Sequence, residues 1–164
     1  MHRQVRAAVL ALGLALAAAC GTGRQVVDER TTQGPTAEEF WLTRVTVQNG
    51  REPTFEERRY WEDQVEARIR EYLRRHPEAA NSLDVSRFRF LRQVTVGMDK
   101  EQVRILLGAP ARTSGDAAEM ANVARRFWPD IRGQADEVWV YPLGWAFYFS
   151  GPRLVEITRY VPPS

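Results

Sequence analysis

The stretch EVWVYPLGWAFYFSGPRLVEITRY, residues 137–160, decides the fold, because its residues follow the two-residue period of β-strands. Residues 137–141, 145–149 and 153–160 each have the pattern of a β-strand. The connections between them contain Gly and Pro and are too short for a crossover, so neighbouring strands must run antiparallel. The stretch therefore predicts a three-stranded β-meander.

Helical periodicity dominates the chain before this stretch. TFEE at residues 54–57 is a capping box, and it begins the clearest helix, residues 54–75, whose apolar side chains recur every three or four positions. TAEE at residues 36–39 is a similar box and predicts a short helix. Asp99 caps a third helix, which Gly108 and Pro110 end. Helices followed by strands predict an α+β fold in which the helices pack on one face of the antiparallel sheet.

Two further helices are expected in the remaining segments. Residues 81–92 are predicted to form a shorter helix that buries Leu83, Phe88, Phe90 and Leu91. Residues 116–127 are predicted to form another, bounded by Pro129 and Gly133.

Aromatic side chains crowd the predicted sheet, and they offer a candidate protein-binding surface. Successive side chains of a strand point to opposite faces, so both faces must carry aromatic groups. If one face packs on the helices, the other exposes Tyr148, with Trp139 and Tyr141 assigned to neither face, and such a patch would suit a protein partner. The alternative is that residues 116–127 cover the second face. The sequence does not choose between these two interpretations.

The first nineteen residues resemble a secretory signal peptide. A basic start is followed by residues 7–19, which contain only Ala, Val, Leu and one Gly. As a helix this run would span roughly 20 Å, well short of the ~30 Å hydrocarbon core of a bilayer. LAAACG at residues 16–21 resembles a bacterial lipobox, and Cys20 is the only cysteine. We therefore expect Cys20 to be acylated, for example with palmitate, and to anchor the protein to a membrane. The alternative is a soluble periplasmic protein.

The segment after Cys20 is expected to be a tether. Residues 21–35 have no apolar period and are rich in small and polar side chains, so residues 20–53 are predicted to hold the anchor, a linker and the short helix. Residues 54–164 are predicted to form the folded body.

Charge and residue types exclude several functions. The precursor has 23 basic and 21 acidic side chains, and two of the basic ones, Arg3 and Arg6, precede Cys20. The mature chain is then neutral overall, which does not favour nucleic acid as a partner. Beyond the signal peptide His76 is the only histidine, and its position before Pro77 suits a helix end. Because no nucleophile motif or zinc-ligand spacing is present, we predict no enzymatic activity, no metal and no cofactor.

Arg125 and Arg126, beside Phe127 and Trp128, have two interpretations. They could contact anionic lipid headgroups, or they could belong to a solvated loop, which we favour.

The segment VGMDKEQVRILLGAP, residues 96–110, resembles the signature G-M-[ST]-x-x-x-V-x-x-x-[LW]-G-x-P of the SmpA/OmlA family, the BamE-like small lipoproteins. In that family a W-x-Y strand and two more strands follow, as Trp139–Tyr141 and the next two runs do here. The resemblance covers residues 90–160. The signature positions have structural roles, and they are Gly97, Asp99, Val103, Gly108 and Pro110.

The resemblance implies a lipoprotein of the outer membrane that faces the periplasm and has an accessory role in the assembly of barrel proteins, with the assembly machinery as partner. The charged helix at residues 54–75 has no counterpart in the minimal members, which suggests a partner of its own. Two alternatives stay open: a secreted inhibitor or ligand-binding protein with the same fold, and a structural envelope protein of one lineage that makes contacts through that helix.

Overall fold

In the computed structural model, which describes residues 26–79 and 83–163, a five-stranded antiparallel sheet separates two groups of helices. The predicted meander forms the three central strands of this sheet, β5 (Glu137–Val140), β6 (Trp145–Ser150) and β7 (Arg153–Val161). β6 pairs antiparallel with both of its neighbours. The α+β class and the three consecutive strands are therefore confirmed.

Two short strands that the sequence pattern did not predict extend the sheet at its edges. β1 (Val27–Thr31) pairs with β7, and β4 (Arg112–Ser114) pairs with β5. β7 has nine residues and β6 only six, so β7 extends past β6. β1 supplies backbone partners along the other edge of β7, from Val27 opposite Val161 to Thr31 opposite Ile157. Since VDERT has no regular apolar alternation, this pairing is invisible in a local pattern.

The prediction of a tether over residues 21–35 is wrong from Val27 onward. β1 belongs to the main sheet, and β2 (Gln33–Thr36) pairs with β3 (Gln93–Thr95) in a separate two-stranded sheet. Arg30 of β1 also donates from Nε to Glu156 of β7 at 2.8 Å. These hydrogen bonds join the segment to the same folded body as residues 54–163. Residues 1–25, with Cys20, lie outside the described part of the chain.

Three helices pack on the first face of the sheet, and each begins where its capping box predicts. They are α1 (Ala37–Asn49), α2 (Phe55–Arg75) and α4 (Lys100–Leu107), capped by Thr36, Thr54 and Asp99. In each box the cap side chain accepts from a backbone N–H, and the side chain three positions on accepts from the cap backbone. Val65 and Ile69 of α2 and Val103 of α4 are fully buried against Phe147 and Phe149 in one core cluster.

The segment at residues 81–92 differs from its prediction. A short helix, α3 (Leu83–Ser86), continues into one π-helical turn, Arg87–Leu91. Phe88 is buried as expected, but Phe90 is 71% exposed and Leu91 is 59% exposed. The turn closes with the N–H of Arg92 donating to the carbonyl of Arg87, and it directs Phe90 and Leu91 away from the core.

A second group of helices covers the other face of the sheet, which decides between the two interpretations that the sequence left open. α5 (Ala117–Ala124) begins at Asp116 as predicted, and a 3₁₀ turn, Arg125–Phe127, leads into α6 (Trp128–Ile131). Their buried side chains form a second core with the sheet, consisting of Met120, Ala124, Ile131, Val138, Ala146 and Tyr148.

Gly144, between β5 and β6, tests how closely the chain at this turn approaches β7. Its φ is +80°, and a Cβ there would overlap the carbonyl oxygen of Tyr160 on β7. We expect Gly144→Ala to lower the free energy of unfolding by more than about 3 kcal/mol, since conformational strain and overlap with backbone combine. Chemical denaturation of the purified protein measures this effect.

Gly133 is the matched control for Gly144. Its φ is +83°, but a Cβ there would meet no atom within 4 Å. Gly133→Ala should therefore cost only the left-handed conformation, about 1–2 kcal/mol. Equal losses for the two variants would contradict the close approach of Gly144 to β7.

Candidate protein-binding surface

The three aromatic residues predicted for a binding surface on the sheet are buried. Trp139 is 1% exposed, Tyr141 is 2% exposed and Tyr148 is 0% exposed. Because α5 and α6 cover the second face, the interpretation in which residues 116–127 shield it is the correct one. The expectation of an exposed aromatic patch on the sheet is wrong.

Each of these side chains has an internal polar partner. Trp139 donates from Nε1 to Glu137 at 2.7 Å, and Tyr141 donates to the carbonyl of Gly108 at 2.8 Å. The Tyr148 hydroxyl lies 3.2 Å from the hydroxyl of Thr158. Burial raises the pKa of Tyr148 to about 12, since the phenolate would lose its hydration. These side chains hold the fold together and are inaccessible to a partner.

The signature residues around α4 also have structural positions. Gly97 has φ +98°, and its N–H donates to the carbonyl of Leu154 at 2.8 Å. Val103 is fully buried, and Gly108 ends α4 with φ +81°. Pro110, also predicted as a structural position, lies between α4 and β4. Together these residues direct the chain from β3 through α4 toward the edge of the sheet.

An apolar groove runs over the outer side of α1 and α2, and the sequence pattern did not single it out. It has a volume of about 370 Å³. The indole rings of Trp41 and Trp61 stack beside it, with centroids 4.8 Å apart and planes at 14°. Val45 and Tyr60 form its walls, and Tyr60 is 68% exposed. The sequence did contain a signal for this groove. Tyr60 lies off the stripe of apolar residues that α2 buries, so an exposed aromatic side chain could have been predicted there.

A second, polar pocket of about 420 Å³ lies where the end of α2 meets the start of α4. Tyr72 donates to the carboxylate of Asp99 at 2.5 Å, and both burial and this carboxylate raise the pKa of the Tyr72 hydroxyl. The ring of His76 stacks on Tyr72, with centroids 4.5 Å apart. His76 does end the helix as predicted, but only its backbone N–H bonds a terminal carbonyl, that of Tyr72 at 2.9 Å.

Arg125 and Arg126 contact side chains and backbone of the protein itself. Arg126 forms an ion pair with Asp28 of β1 at 3.2 Å. The guanidinium of Arg125 lies 3.8 Å from the centroid of the Tyr160 ring. Both arginines are exposed to solvent, as expected, but they lie in a 3₁₀ turn that these contacts join to the sheet edge, and not in an irregular loop.

Comparisons with known proteins return no match, whether the chain is scanned against protein-family models or searched against curated proteins and solved structures. Within residues 26–79 and 83–163, no helix has the length and apolar character needed to cross a membrane. In the same residues, no group of three or more His, Cys, Asp or Glu side chains is placed to hold a metal ion.

Two tyrosine substitutions distinguish the buried face from the groove. Tyr148→Ala removes a fully buried ring between β6 and the α5–α6 pair and should cost about 3–5 kcal/mol of unfolding free energy. Tyr60→Ala, the matched control on the exposed groove, should change it by no more than about 0.5 kcal/mol. Urea titrations of the two variants measure both values. Similar losses would mean that Tyr148 is as accessible as Tyr60.

Proposed function

We propose that this protein is an envelope lipoprotein, anchored through Cys20, whose folded domain is a non-catalytic binding module for another envelope protein. Its role is accessory, in the assembly of outer-membrane proteins or in envelope maintenance. The observation that carries the proposal is the contrast between the two aromatic surfaces. The sheet is covered on both faces, whereas the groove of α1 and α2 leaves Tyr60 and part of Trp61 open to a partner.

The position of β1 supports a domain held close to the membrane. Only residues 21–26 separate Cys20 from Val27, the first residue of β1. A fully extended chain advances at most 3.3–3.6 Å per residue, so Val27 lies within roughly 25 Å of the anchor. Such a short connection raises the local concentration of the domain at the membrane surface and so favours envelope partners over soluble ones.

The signature at residues 96–110 supports an accessory role in barrel-protein assembly by resemblance to the SmpA/OmlA family alone. The described geometry is compatible with it, since Asp99 caps α4 and the antiparallel strands β5, β6 and β7 follow after β4. The α1–α2 groove lies outside residues 90–160, to which the resemblance extends. A partner that binds in this groove would therefore be specific to this protein and is not implied by the resemblance.

A soluble ligand-binding protein is the second candidate function. The polar pocket beside Tyr72 and Asp99 favours it, because a concave site with convergent polar groups suits a small molecule. Under this candidate the acyl anchor has no purpose. The lipid state of Cys20 therefore separates the two functions.

Cys20→Ala tests the anchor directly in the full chain. We expect the parent protein in the membrane fraction, with diacylglyceryl or triacyl mass on Cys20, and the variant in the soluble fraction. Thr22→Ala is the matched control, because it changes the same segment without removing the thiol, and it should remain with the membranes. Fractionation with mass spectrometry of the N-terminus makes the measurement.

Affinity purification from mild-detergent membranes is the second readout of the same proposal. The parent protein and Thr22→Ala should each retain an envelope protein as a companion. An unmodified Cys20 in the soluble fraction, without an envelope companion, would contradict the proposed function and leave the ligand-binding candidate.

A further inference from the structure

The stacked pair Trp41–Trp61 lies between two concave surfaces. On one side is the apolar groove with Val45 and Tyr60. On the other is a cleft of about 100 Å³ against the end of α4, and Arg44 and Arg68 line it. Arg68 borders both the groove and the cleft. The two surfaces and the indole pair therefore form one continuous site, which we call the tryptophan site.

Arg44 and Arg68 border the tryptophan site, and no carboxylate among the described side chains lies within 4.0 Å of either one. Most other arginines of α2 are paired, for example Arg58 with Glu38 at 2.9 Å and Arg74 with Glu71 at 2.7 Å, although Arg59 is not paired within the described residues. Among the described residues, Arg68 donates to one acceptor, the carbonyl of Gln64, at 3.1 Å. The Nε of Arg44 is buried and has no acceptor in the part of the chain that the structure describes.

The remaining charge at the tryptophan site is already neutralised. Glu57 borders the groove, but Arg51 holds it through two hydrogen bonds of 2.8 Å. This pairing lowers the pKa of Glu57 to about 2, so the carboxylate stays ionised and paired at neutral pH. Asn49 and Gln64, which also border the groove, are neutral. Two positive charges without partners are left beside an apolar surface.

This composition is the one that protein interfaces concentrate at their centres. Trp, Tyr and Arg are the residue types most enriched at positions where truncation weakens binding most. An arginine that lacks an internal carboxylate gains a charge-assisted, often bidentate hydrogen bond from an acidic partner without first breaking an existing pair. The apolar groove beside it offers a place for one large hydrophobic side chain.

We propose that the tryptophan site binds an acidic segment of a protein partner that also carries an apolar side chain. Carboxylates of the segment pair with Arg44 and Arg68, and the apolar side chain enters the groove against Tyr60 and Trp61. The inference rests on the proposed function of a binding module, and it names the chemistry of the partner.

Photo-crosslinking in the full-length, membrane-anchored protein tests this site. The photoreactive amino acid benzoylphenylalanine is placed at position 60, cells are irradiated, and the crosslinked peptide is identified by mass spectrometry. We expect a peptide of another envelope protein that is rich in Asp and Glu and contains a large apolar residue. A crosslink to a second copy of this chain, to lipid, or to a basic segment would overturn the proposal, as would the absence of any crosslink.

Charge variants supply the specific readout. Arg44→Glu together with Arg68→Glu should lower the crosslink yield at least tenfold, and Arg44→Gln with Arg68→Gln should lower it by a smaller factor. Arg59→Glu is the matched control, because Arg59 is exposed on the same helix, away from both concave surfaces, and its yield should stay within twofold. An unchanged yield in both double variants would overturn the proposal. Unfolding midpoints confirm that all variants are folded.

The outcomes also separate this inference from the proposed function. A second photoreactive position, Phe90, lies on another exposed surface, 71% accessible. Crosslinks to an envelope protein from position 90, with none from position 60, would support the proposed binding module. They would contradict the proposal that the tryptophan site is where the partner binds. If neither position crosslinks and Cys20 carries no lipid, the proposed function itself has failed.

Discussion

The packing of β6 between two layers of helices is the constraint on which the rest of the structure depends. Phe147 and Phe149 face α2 and α4, whereas Ala146 and Tyr148 face α5 and α6. A strand that is apolar on both faces cannot be exposed to water on either without losing about 1.5–3 kcal/mol for each large side chain. Both helical layers are therefore needed to form the sheet. The segment with α5 and α6, between β4 and β5, is the second cover, and Tyr148 packs beneath it.

Local patterns in the sequence predicted much of this arrangement, and their failures share a physical cause. Capping boxes at Thr36, Thr54 and Asp99 act within a single turn, so the starts of α1, α2 and α4 are correct. The pairing of β1 with β7 is different, because its stability comes from residues more than a hundred positions apart, such as Arg30 and Glu156. No window of neighbouring residues contains that information. The exposure of Phe90 depends likewise on a π-helical turn that an ideal helical period does not represent.

The same limit of local sequence patterns applies to the prediction of the binding surface. The sequence indicated that aromatic side chains were numerous enough for a binding surface, but not which of them remain accessible. Tertiary packing decides this: Trp139, Tyr141 and Tyr148 lie inside, and the accessible aromatic surface moves to α1 and α2. The prediction that α2 is a contact helix stays a prediction, and its test must use point substitutions. Removing residues 54–75 would also remove Val65, Ile69 and Tyr72 from the core and would not isolate a binding role.

Oxidative footprinting by hydroxyl radicals, carried out on the full chain in native membranes and again after purification, tests the central claim most directly. Side-chain oxidation follows solvent exposure and partner contact residue by residue. In the purified protein, the account predicts rapid oxidation of Tyr60 and little of Trp139 or Tyr148. In native membranes, oxidation of Tyr60 and Trp61 should fall while that of the exposed Phe55 is unchanged. Oxidation of Tyr148 at the rate of Tyr60, or no protection of Tyr60 in membranes, would contradict the account.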